Sequence, residues 1–475
     1  MIITLLFAQI IPLDDPAYIA IARLEAKGAL QGLPDTRPYT EKQVFEAFNP
    51  EAALSRADSF DLASLGIIKS RFKRWAPALR LQGNGGESGA SAFFKLGGAV
   101  GASYKIPDSL RAGPEVRYEG GIGPFSFFAT HRITYAPKWD SCFDAKSWRG
   151  DERPVFAEIP DARLDVDFDW LHIQAGRSEI HMGPVPDGGL ILSTEPWGID
   201  HAAYTLHWKG VNFTTLFSWL QADKRLIMHR FEYASRTWKL GLSEALVAND
   251  SNDVFVYIAA PFAFYYFMQW NKLQDENILW SADAEVFLRP FKIYAEFIVD
   301  DFAYEPATGP NKIGGTIGAQ WVSIFKSEVD LRADYTAITK WTYAQRHDNQ
   351  NYTFRGRILG DDLGPDADRA RVYISWRVAP PITLGFDGRY ERHGEGDEWR
   401  DFQDDGAADS AAYHPPFPSG VVENRFSGRL DLKLTLIGRS YLDVWGKLVQ
   451  TTNLDNVQGN NTTRARVGAD LFWEF

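Results

Sequence analysis

The sequence contains serine, histidine and acidic residues, the groups that many hydrolases combine for covalent catalysis. Ser193 and His229 with a carboxylate would supply a nucleophile, a base and an orienting acid. Their spacing follows no known hydrolase pattern, and the chain has no Gly-x-Ser-x-Gly motif. We therefore expect a protein that is not an enzyme, and keep an outer-membrane lipase only as a minor alternative.

Acidic residues are concentrated in one Gly-, Asp- and Pro-rich stretch, 393–422. Carboxylate oxygens of this kind can hold Ca²⁺. Their spacing is not that of a known calcium loop, so a solvated acidic loop is the simpler interpretation. The chain has one cysteine, Cys142, which excludes a disulfide framework and a zinc cluster of cysteines. We predict no metal site and no cofactor.

Aromatic residues lie among Asp, Asn and Arg in two stretches without regular alternation, 339–368 and 393–422. Aromatic faces combined with carboxylate and amide groups are typical of sugar-binding surfaces. Packing within the loops is the alternative explanation for each of these side chains. The candidate polysaccharide-binding residues are Trp341, Tyr343, Tyr352, Trp399 and Tyr413, with Phe402 and Phe417 beside them.

The alternation of apolar and charged residues near the end of the chain indicates that the main elements are β-strands. Apolar and charged side chains alternate along 426–436 and along 463–475, so each stretch has one apolar and one polar face. Strands of about ten to fourteen residues exceed the usual strand length and suit strands that cross a bilayer at a tilt. Lipid outside and a polar lumen inside would explain the two faces. A large secreted β protein is the alternative.

We predict an all-β transmembrane barrel of about 18 antiparallel strands with a small N-terminal helical bundle. Period-two alternation gives nineteen candidate strands. Single-chain bacterial barrels have an even number, so we expect one candidate to be misassigned or one pair to be split. The candidates are residues 78–84, 92–104, 115–123, 125–135, 162–168, 171–182, 203–208, 211–221, 226–233, 238–248, 278–288, 291–302, 312–322, 327–337, 371–378, 382–392, 424–436, 441–452 and 463–475.

Composition agrees with this class. Aromatic residues make up 14% of the chain, enough for aromatic girdles at both membrane interfaces. The mean hydropathy is −0.27, and a barrel carries its membrane signal in alternation instead of overall hydropathy. The net charge of −12 argues against nucleic acid as a partner.

The first 76 residues differ from the rest. Residues 1–9 are apolar and resemble the remnant of a secretory signal. Residues 10–76 have apolar residues at helical spacing, and Thr40 with Gln43 predicts a capping box. We expect a periplasmic helical segment here, with a third helix within 52–72, followed by an outer-membrane barrel over 77–475 with long extracellular loops.

The longest apolar run, 254–268, is interrupted by Pro261. It is too short for a membrane-spanning helix, and the proline argues against a central strand. We predict a segment folded into the barrel, with one long aromatic strand as the alternative.

Several charged residues fall on or beside the candidate strands. Arg177, Arg230 and Glu244 are predicted to meet inside the lumen as a paired network, because buried charges need partners. A structural network that holds a plug is favoured over direct ligand contact. The lumen candidates are Arg177, His229, Arg230, Glu244, Glu296, Asp300 and Asp301.

An ordered set of short motifs resembles the capsule assembly protein Wzi family. The likeness covers most of the chain in the same order, although each motif alone is weak. Ala295 and Met182 stand where the family pattern has Gly and Trp. The motifs are residues 23–28, 36–39, 176–177, 182–184, 188–193, 229–230, 241–244, 294–296 with 300–301, and 356–368.

This resemblance implies an outer-membrane barrel of eighteen strands, an N-terminal helical bundle and a lumen occluded by inward-folded loops. It also implies a lectin-like protein that anchors capsular or other surface polysaccharide. The expected partners are that polysaccharide, outer-membrane lipid and the barrel insertion machinery, with the protein as a monomer. The alternative function is a porin or a substrate-specific diffusion channel, which would need an open lumen.

Overall fold

The structure, a computed structural model, has eighteen strands closed into a barrel and a short helical segment that precedes them. It describes residues 11, 13, 15, 17–55, 58–59, 61–62, 65, 92–106, 109–135, 155–194, 198–249, 257, 262–272, 276–303, 309–379, 381–407, 413–435 and 440–474.

The N-terminal segment contains helices α1 (Ala17–Lys27) and α2 (Glu41–Glu46) and the short strand β1 (Thr36–Arg37). The capping box is confirmed, since the Gln43 backbone N–H donates to Thr40 Oγ1 and the Thr40 N–H donates to Gln43 Oε1. Apolar side chains from both helices share one core. That core includes Ile21, Leu24, Leu33, Tyr39, Val44 and Leu62. Most of the expected third helix lies outside the described residues.

Each barrel strand pairs antiparallel with its neighbour, and the last strand, at 462–474, pairs with the first, at 92–106, to close the ring. The strands are β2 (Ala92–Ile106), β3 (Ser109–Ile122), β4 (Phe125–Tyr135), β5 (Val155–Phe168), β6 (Leu171–Ser178), β8 (Ile199–Trp208), β9 (Val211–Gln221), β10 (Lys224–Ala234), β11 (Trp238–Ala248), β12 (Asn277–Leu288), β13 (Phe291–Asp301), β14 (Lys312–Trp321), β15 (Val329–Ile338), β18 (Ala367–Ala379), β19 (Ile382–His393), β20 (Glu423–Thr435), β21 (Tyr441–Thr452) and β22 (Thr462–Glu474). Eighteen of the predicted strands correspond to these elements, and 78–84 lies outside the described residues.

The outward face of the barrel is apolar. Leu430 and Leu432 on β20 are 66% and 45% exposed, while the intervening Asp431 turns toward the lumen. The same alternation holds on β13, where Ile293 and Phe297 are exposed and Tyr294 and Glu296 are buried. This is the two-faced pattern of a barrel with lipid outside and polar groups inside. Among the described residues, no helix has both the length and the apolarity needed to span a membrane.

The two ends of the barrel differ. Short turns, such as 169–170, 209–210 and 289–290, lie at one end together with the N-terminal segment. The long connections lie at the other end, and in outer-membrane barrels that end is extracellular. Two of them fold into the lumen: the first inward segment, described over residues 179–194, and the second inward segment, 339–366.

The first inward segment carries β7 (His181–Met182), which pairs with β1, and the second carries the small hairpin of β16 (Thr353–Phe354) and β17 (Arg357–Ile358). The described residues of a third connection, between β11 and β12, take the opposite course. Its helix α3 (Tyr265–Lys272) packs on the outer face of β9 to β12, and we call residues 257 and 262–272 the outer-wall segment. The expectation that 254–268 folds into the barrel is therefore wrong for its described part, since Tyr257 and Tyr265 pack on the outward-facing Phe217, Ile227 and Leu246.

Candidate functional site: the occluded lumen and the outer loops

Carboxylates of the barrel wall hold both inward segments by their backbone. The Glu296 side chain on β13 accepts hydrogen bonds from the N–H groups of Leu190 and Ile191, at 2.9 and 3.1 Å. Four residues farther along the same strand, Asp300 accepts from the Tyr343 N–H at 2.7 Å. Backbone amides in the lumen are thereby satisfied, as buried polar groups require.

The two inward segments also bond to each other. Tyr343 and Tyr352 stack with ring centroids 5.8 Å apart. Their hydroxyl groups donate to the Leu190 and Ile191 carbonyl oxygens at 2.8 and 2.7 Å. Gly360 permits this close approach, because a Cβ there would lie 2.3 Å from the Leu190 oxygen.

An apolar core forms inside the lumen where the segments meet the barrel wall. The inward segments contribute residues such as Leu190, Ile191 and Leu359, all fully buried. The wall contributes residues such as Leu226 and Met228 on β10. A barrel lumen is usually polar, so this packed core marks a region of the lumen that is filled by protein.

The N-terminal segment closes the short-turn end through ion pairs. Arg23 on α1 pairs with Asp330 and Glu328 at 3.0 and 2.9 Å, both near the turn between β14 and β15, and also with Asp58. These charges are largely removed from water, so each requires its partner.

A second buried group surrounds Lys239 on β11. Its ammonium lies 2.8 Å from Asp35, 3.1 Å from Glu25 and 3.1 Å from Glu285. Two of these acids belong to the N-terminal segment and one to the wall. The segment is therefore tied to the lumen on several sides.

One carboxylate of the first inward segment bridges to the opposite wall. Asp187 pairs with Arg332 on β15 and with Arg371 on β18, the latter at 2.9 Å. Partial desolvation in the lumen opposes ionisation of the half-exposed Asp187 carboxyl, but the two guanidinium groups hold its pKa below the usual range. Nearby, burial and the Arg37 guanidinium lower the pKa of His181 to about 3.

The lumen is not filled evenly. A cavity of about 380 Å³ separates the plug from the wall of β20 to β22. The plug side of this cavity includes Asp15, Arg37 and Asp187, and the wall side includes Asp443 and Asp470. The filled half faces β8 to β15, and the half facing β19 to β22 retains water-accessible space.

Residues 394–407 and 413–422, between β19 and β20, lie over the long-loop end of the barrel, and we call them the covering loop. Asp366 accepts hydrogen bonds from the N–H groups of Gly396 and Ser419, at 3.0 and 2.9 Å. Trp341 Nε1 donates to Asp405 at 2.9 Å and its ring contacts Phe402. The covering loop is thereby fixed to the second inward segment.

The five predicted sugar-binding aromatics fall into two groups. Tyr343 and Tyr352 are fully buried and Trp341 is 3% exposed, so these three build the plug and its cover and do not present a face to a glycan. Trp399 is 42% exposed on the covering loop, and Tyr413 is half-buried with its ring against Phe402. Only Trp399 and Tyr413 remain available at the outer surface.

The predicted meeting of Arg177, Arg230 and Glu244 in the lumen is wrong. Arg230 faces inward and pairs with Asp283 at 2.6 Å. Arg177 and Glu244 lie on the opposite face of their strands, because Ile173, four positions from Arg177, and Leu242, two positions from Glu244, are exposed. Glu296 and Asp300 do face the lumen, as expected.

The remaining candidates lie elsewhere. Arg177 pairs with Asp200 near the rim at 2.6 Å, and Asp301 pairs with Lys312 at 3.1 Å. His229 lies on the outer wall, with Nε2 at 3.1 Å from Glu244 Oε2. Its partner Glu244 accepts from the N–H groups of Tyr265 and Tyr266 and so caps α3.

This arrangement excludes Ser193 and His229 as the nucleophile and base of a hydrolase. Ser193 lies inside the lumen and donates to the Gly360 carbonyl oxygen at 2.6 Å, whereas His229 lies on the lipid side. Several acidic loop residues have cationic or indole partners, for example Asp401 with Lys312 and Asp397 with Arg400. No cluster of metal-binding side chains occurs in the described part of the chain.

Sequence reasoning missed several lumen residues. Lys239 and Lys292 alternate with exposed apolar residues on β11 and β13, so strand alternation alone could have identified them. Asp187 lies in a turn of the first inward segment, and no local pattern links it to Arg332 or Arg371, which follow 145 and 184 residues later.

Comparisons with known proteins agree on the fold. No protein-family model and no curated protein match the chain. Among solved structures, Wzi of Escherichia coli superposes with a TM-score of 0.66 and 12% identity, over 98% of this chain and 100% of that one. That protein is described as an outer membrane protein involved in group 1 capsule assembly and as a carbohydrate-binding β-barrel.

More distant similarity extends to OccD3 of Pseudomonas aeruginosa, with a TM-score of 0.47, 11% identity and coverage of 85% of this chain and 94% of that one. OccAB1 of Acinetobacter baumannii also has a TM-score of 0.47, with 11% identity and coverage of 81% and 97%. This chain shares the fold of Wzi, and both the predicted fold class and the predicted structural resemblance are confirmed.

Proposed function

We propose that this protein is a non-enzymatic bacterial outer-membrane barrel that binds and anchors capsular or other surface polysaccharide. The observation that carries the proposal is the pair of inward segments, whose tyrosines, backbone carbonyls and wall carboxylates close the lumen from the long-loop side. A lumen that two inward segments fill along one half favours an anchor over a transport channel. The shared fold supports the same proposal and the outer-membrane location, because Wzi is described as carbohydrate-binding.

The binding surface we propose is the covering loop around Trp399 and Tyr413. An exposed indole offers a flat apolar face to a sugar ring, and Asp397 and Arg400 beside it offer hydrogen bonds. The fixed cover beneath the loop reduces the entropy lost on binding.

The test compares W399A/Y413A with the control W170A/W208A. Trp170 and Trp208 are 60% and 69% exposed but lie at the short-turn end. The measurement is retention of purified capsular polysaccharides on immobilised protein and of capsule on cells. We expect the loop variant to lose at least tenfold in retention and the control to behave like the wild type.

Two outcomes would overturn the proposal. Equal retention by both variants would remove the covering loop as the binding surface. Release of shortened glycan products by the wild type would identify an enzyme and contradict the anchoring role.

The second candidate function is a diffusion channel. The cavity of about 380 Å³ beside the plug is the observation that favours it. Ion conductance in planar bilayers distinguishes the two functions, because a diffusion channel would show large steady conductance and an anchor would not.

A further inference from the structure

The water-accessible half of the lumen contains a group of neighbouring cations. Lys447 on β21 lies directly opposite Arg466 on β22, and Arg464 is two residues from Arg466 on the same face. This face is the lumen face, because Asp470 on β22 and Asp443 on β21 have the same parity and line the cavity beside the plug. We call Lys447, Arg464 and Arg466 the basic ledge.

The ledge differs from the lumen cations that form ion pairs. Arg230, Lys239, Lys292 and Arg371 each have a carboxylate within 3.1 Å. Within the described residues, neither a hydrogen bond nor an ion pair is found for the three ledge side chains. Arg464 and Arg466 are exposed although they face the barrel interior, so water reaches them.

The acids that face the ledge are already engaged. On β19, Asp387 binds both Arg371 and Arg389 at 2.8 Å, and Glu391 lies 3.4 Å from Arg425. Arg429, directly opposite Lys447 on β20, pairs with Asp443 at 2.9 Å. These carboxylates are shared with other cations, so they neutralise the ledge only in part.

Three adjacent cations repel one another. Side chains directly opposite on paired strands have Cβ atoms about 5 Å apart, and like charges there destabilise the pairing. A chain with a net charge of −12 has no general need for added positive charge in its lumen. An anionic ligand would turn this repulsion into attraction and would gain charge-assisted hydrogen bonds from the guanidinium groups.

The ledge is also reachable from outside. Arg464 and Arg466 are the third and fifth residues of β22, which starts at the long-loop end. At about 3.4 Å per residue they lie roughly 7–14 Å below the rim. A flexible polymer held at the covering loop has only this short distance to insert one charged unit.

We propose that the basic ledge binds the carboxylate of an acidic sugar, so that the polysaccharide recognised by this protein contains uronic acid. This inference rests on the proposed function for the source of the ligand. The guanidinium groups of Arg464 and Arg466 bind the carboxylate oxygens, and the Lys447 ammonium adds a third contact.

The test is calorimetric titration of the detergent-solubilised full chain with two probes, oligogalacturonate and the neutral galactose oligomer of the same length. The variant is K447Q/R466Q. The matched control is K209Q/K326Q, which removes the same charge from two exposed turn residues at the short-turn end. We expect the charged oligomer to bind the wild type at least tenfold more tightly than K447Q/R466Q. We also expect no loss in the control and weaker binding as the salt concentration rises.

Two results would overturn the inference. If the neutral and charged oligomers bind equally and K447Q/R466Q has no effect, the ledge is not the site, while the covering-loop proposal stands on its own experiment. If inorganic phosphate titrated alone binds with the same dependence on Lys447 and Arg466 while oligogalacturonate does not bind, the site takes a small free anion and the sugar assignment is wrong. If W399A/Y413A loses polysaccharide retention but still binds oligogalacturonate, the covering loop and the basic ledge are two independent binding surfaces.

Discussion

His181 connects the N-terminal segment to the first inward segment, and its environment disfavours a charge. Its Nε2–H donates to the Gly183 carbonyl oxygen at 3.1 Å, and the ring is 2% exposed. An unfolded imidazole takes up a proton near pH 6.5, whereas burial and Arg37 delay protonation here to about pH 3. The stabilisation is thus fully present above pH 6.5 and is lost as the pH falls toward 3.

We therefore predict that acidification loosens the plug before the barrel. The loss should reach about 3 kcal/mol by pH 4. Hydrogen exchange of residues 179–194, corrected for intrinsic rates, should rise between pH 7 and pH 4 in the wild type and rise less in H181Q. H414Q, which changes an exposed loop histidine, should keep the wild-type response. An unchanged response in H181Q would assign the pH dependence to other groups.

The tyrosine pair of the second inward segment gives a second prediction at this scale. Y343F and Y352F each remove one hydroxyl donor and leave a buried carbonyl oxygen unpaired, which should cost about 1–2 kcal/mol each. Limited proteolysis of the inward segments should accelerate accordingly. Y413F is the control, since that hydroxyl makes no hydrogen bond within the described residues. Equal proteolysis rates in all three variants would contradict the role of these bonds.

Single residues were the least predictable level. Glu244 has the same parity as the exposed Leu240 and Leu242, so alternation along β11 assigns it to the outer face. It was expected in the lumen because a buried charge needs partners, but its partners include the N–H groups of α3, which belongs to a segment without regular periodicity. The partners of Asp187 come from distant strands, and no local signal encodes them.

Among the elements, the outer-wall segment depends on one wall residue. Glu244 accepts hydrogen bonds from the Tyr265 and Tyr266 N–H groups and from Trp280 Nε1, each at 2.8 to 3.1 Å. A carboxylate facing lipid is costly unless such donors surround it. The helix N-terminus and the wall carboxylate therefore stabilise each other.

We predict that E244A releases α3 from the wall. The backbone amides of residues 265–271 should then exchange hydrogen faster than in the wild type. D200A removes another outer-wall carboxylate, paired with Arg177 and distant in sequence from α3, and should keep the wild-type exchange rate. A wild-type exchange rate in E244A would show that the apolar contacts of Tyr257 and Tyr265 suffice.

Elements were predicted well where periodicity is regular. The strands 125–135, 211–221, 238–248 and 441–452 match their predicted bounds. The segments 179–194, 254–268 and 339–366 were unpredictable in course, because irregular backbone is placed by long-range contacts. The proposed boundary between helical segment and barrel at residue 77 stays a prediction, since 66–91 lies outside the described residues.

At the scale of the whole molecule, the filled half of the lumen opposes the passage of ions, whereas the water-accessible half favours it. We predict that the purified protein in planar bilayers shows no large steady channels. Replacing 345–358 by a short Gly-Ser linker removes the tyrosine contact at 352 and should produce them. Large steady conductance in the wild type would contradict the anchor and move the diffusion channel to first place.

The whole-molecule architecture was predictable because eighteen alternating strands leave few alternatives. Lumen closure was expected only from the resemblance to the Wzi family. Alternation cannot reveal it, since a filled and an open lumen require the same outward face. The monomeric state and the insertion machinery stay predictions.

The outer-wall segment has a consequence for biogenesis. Strand β11 ends and β12 begins at the long-loop end, yet the outer-wall segment between them packs on the lipid side of the wall. The surface on which it packs is formed by side chains of β9 to β12, so this surface does not exist until those strands have paired. We therefore expect docking of the segment to follow the pairing of β9 to β12 during assembly.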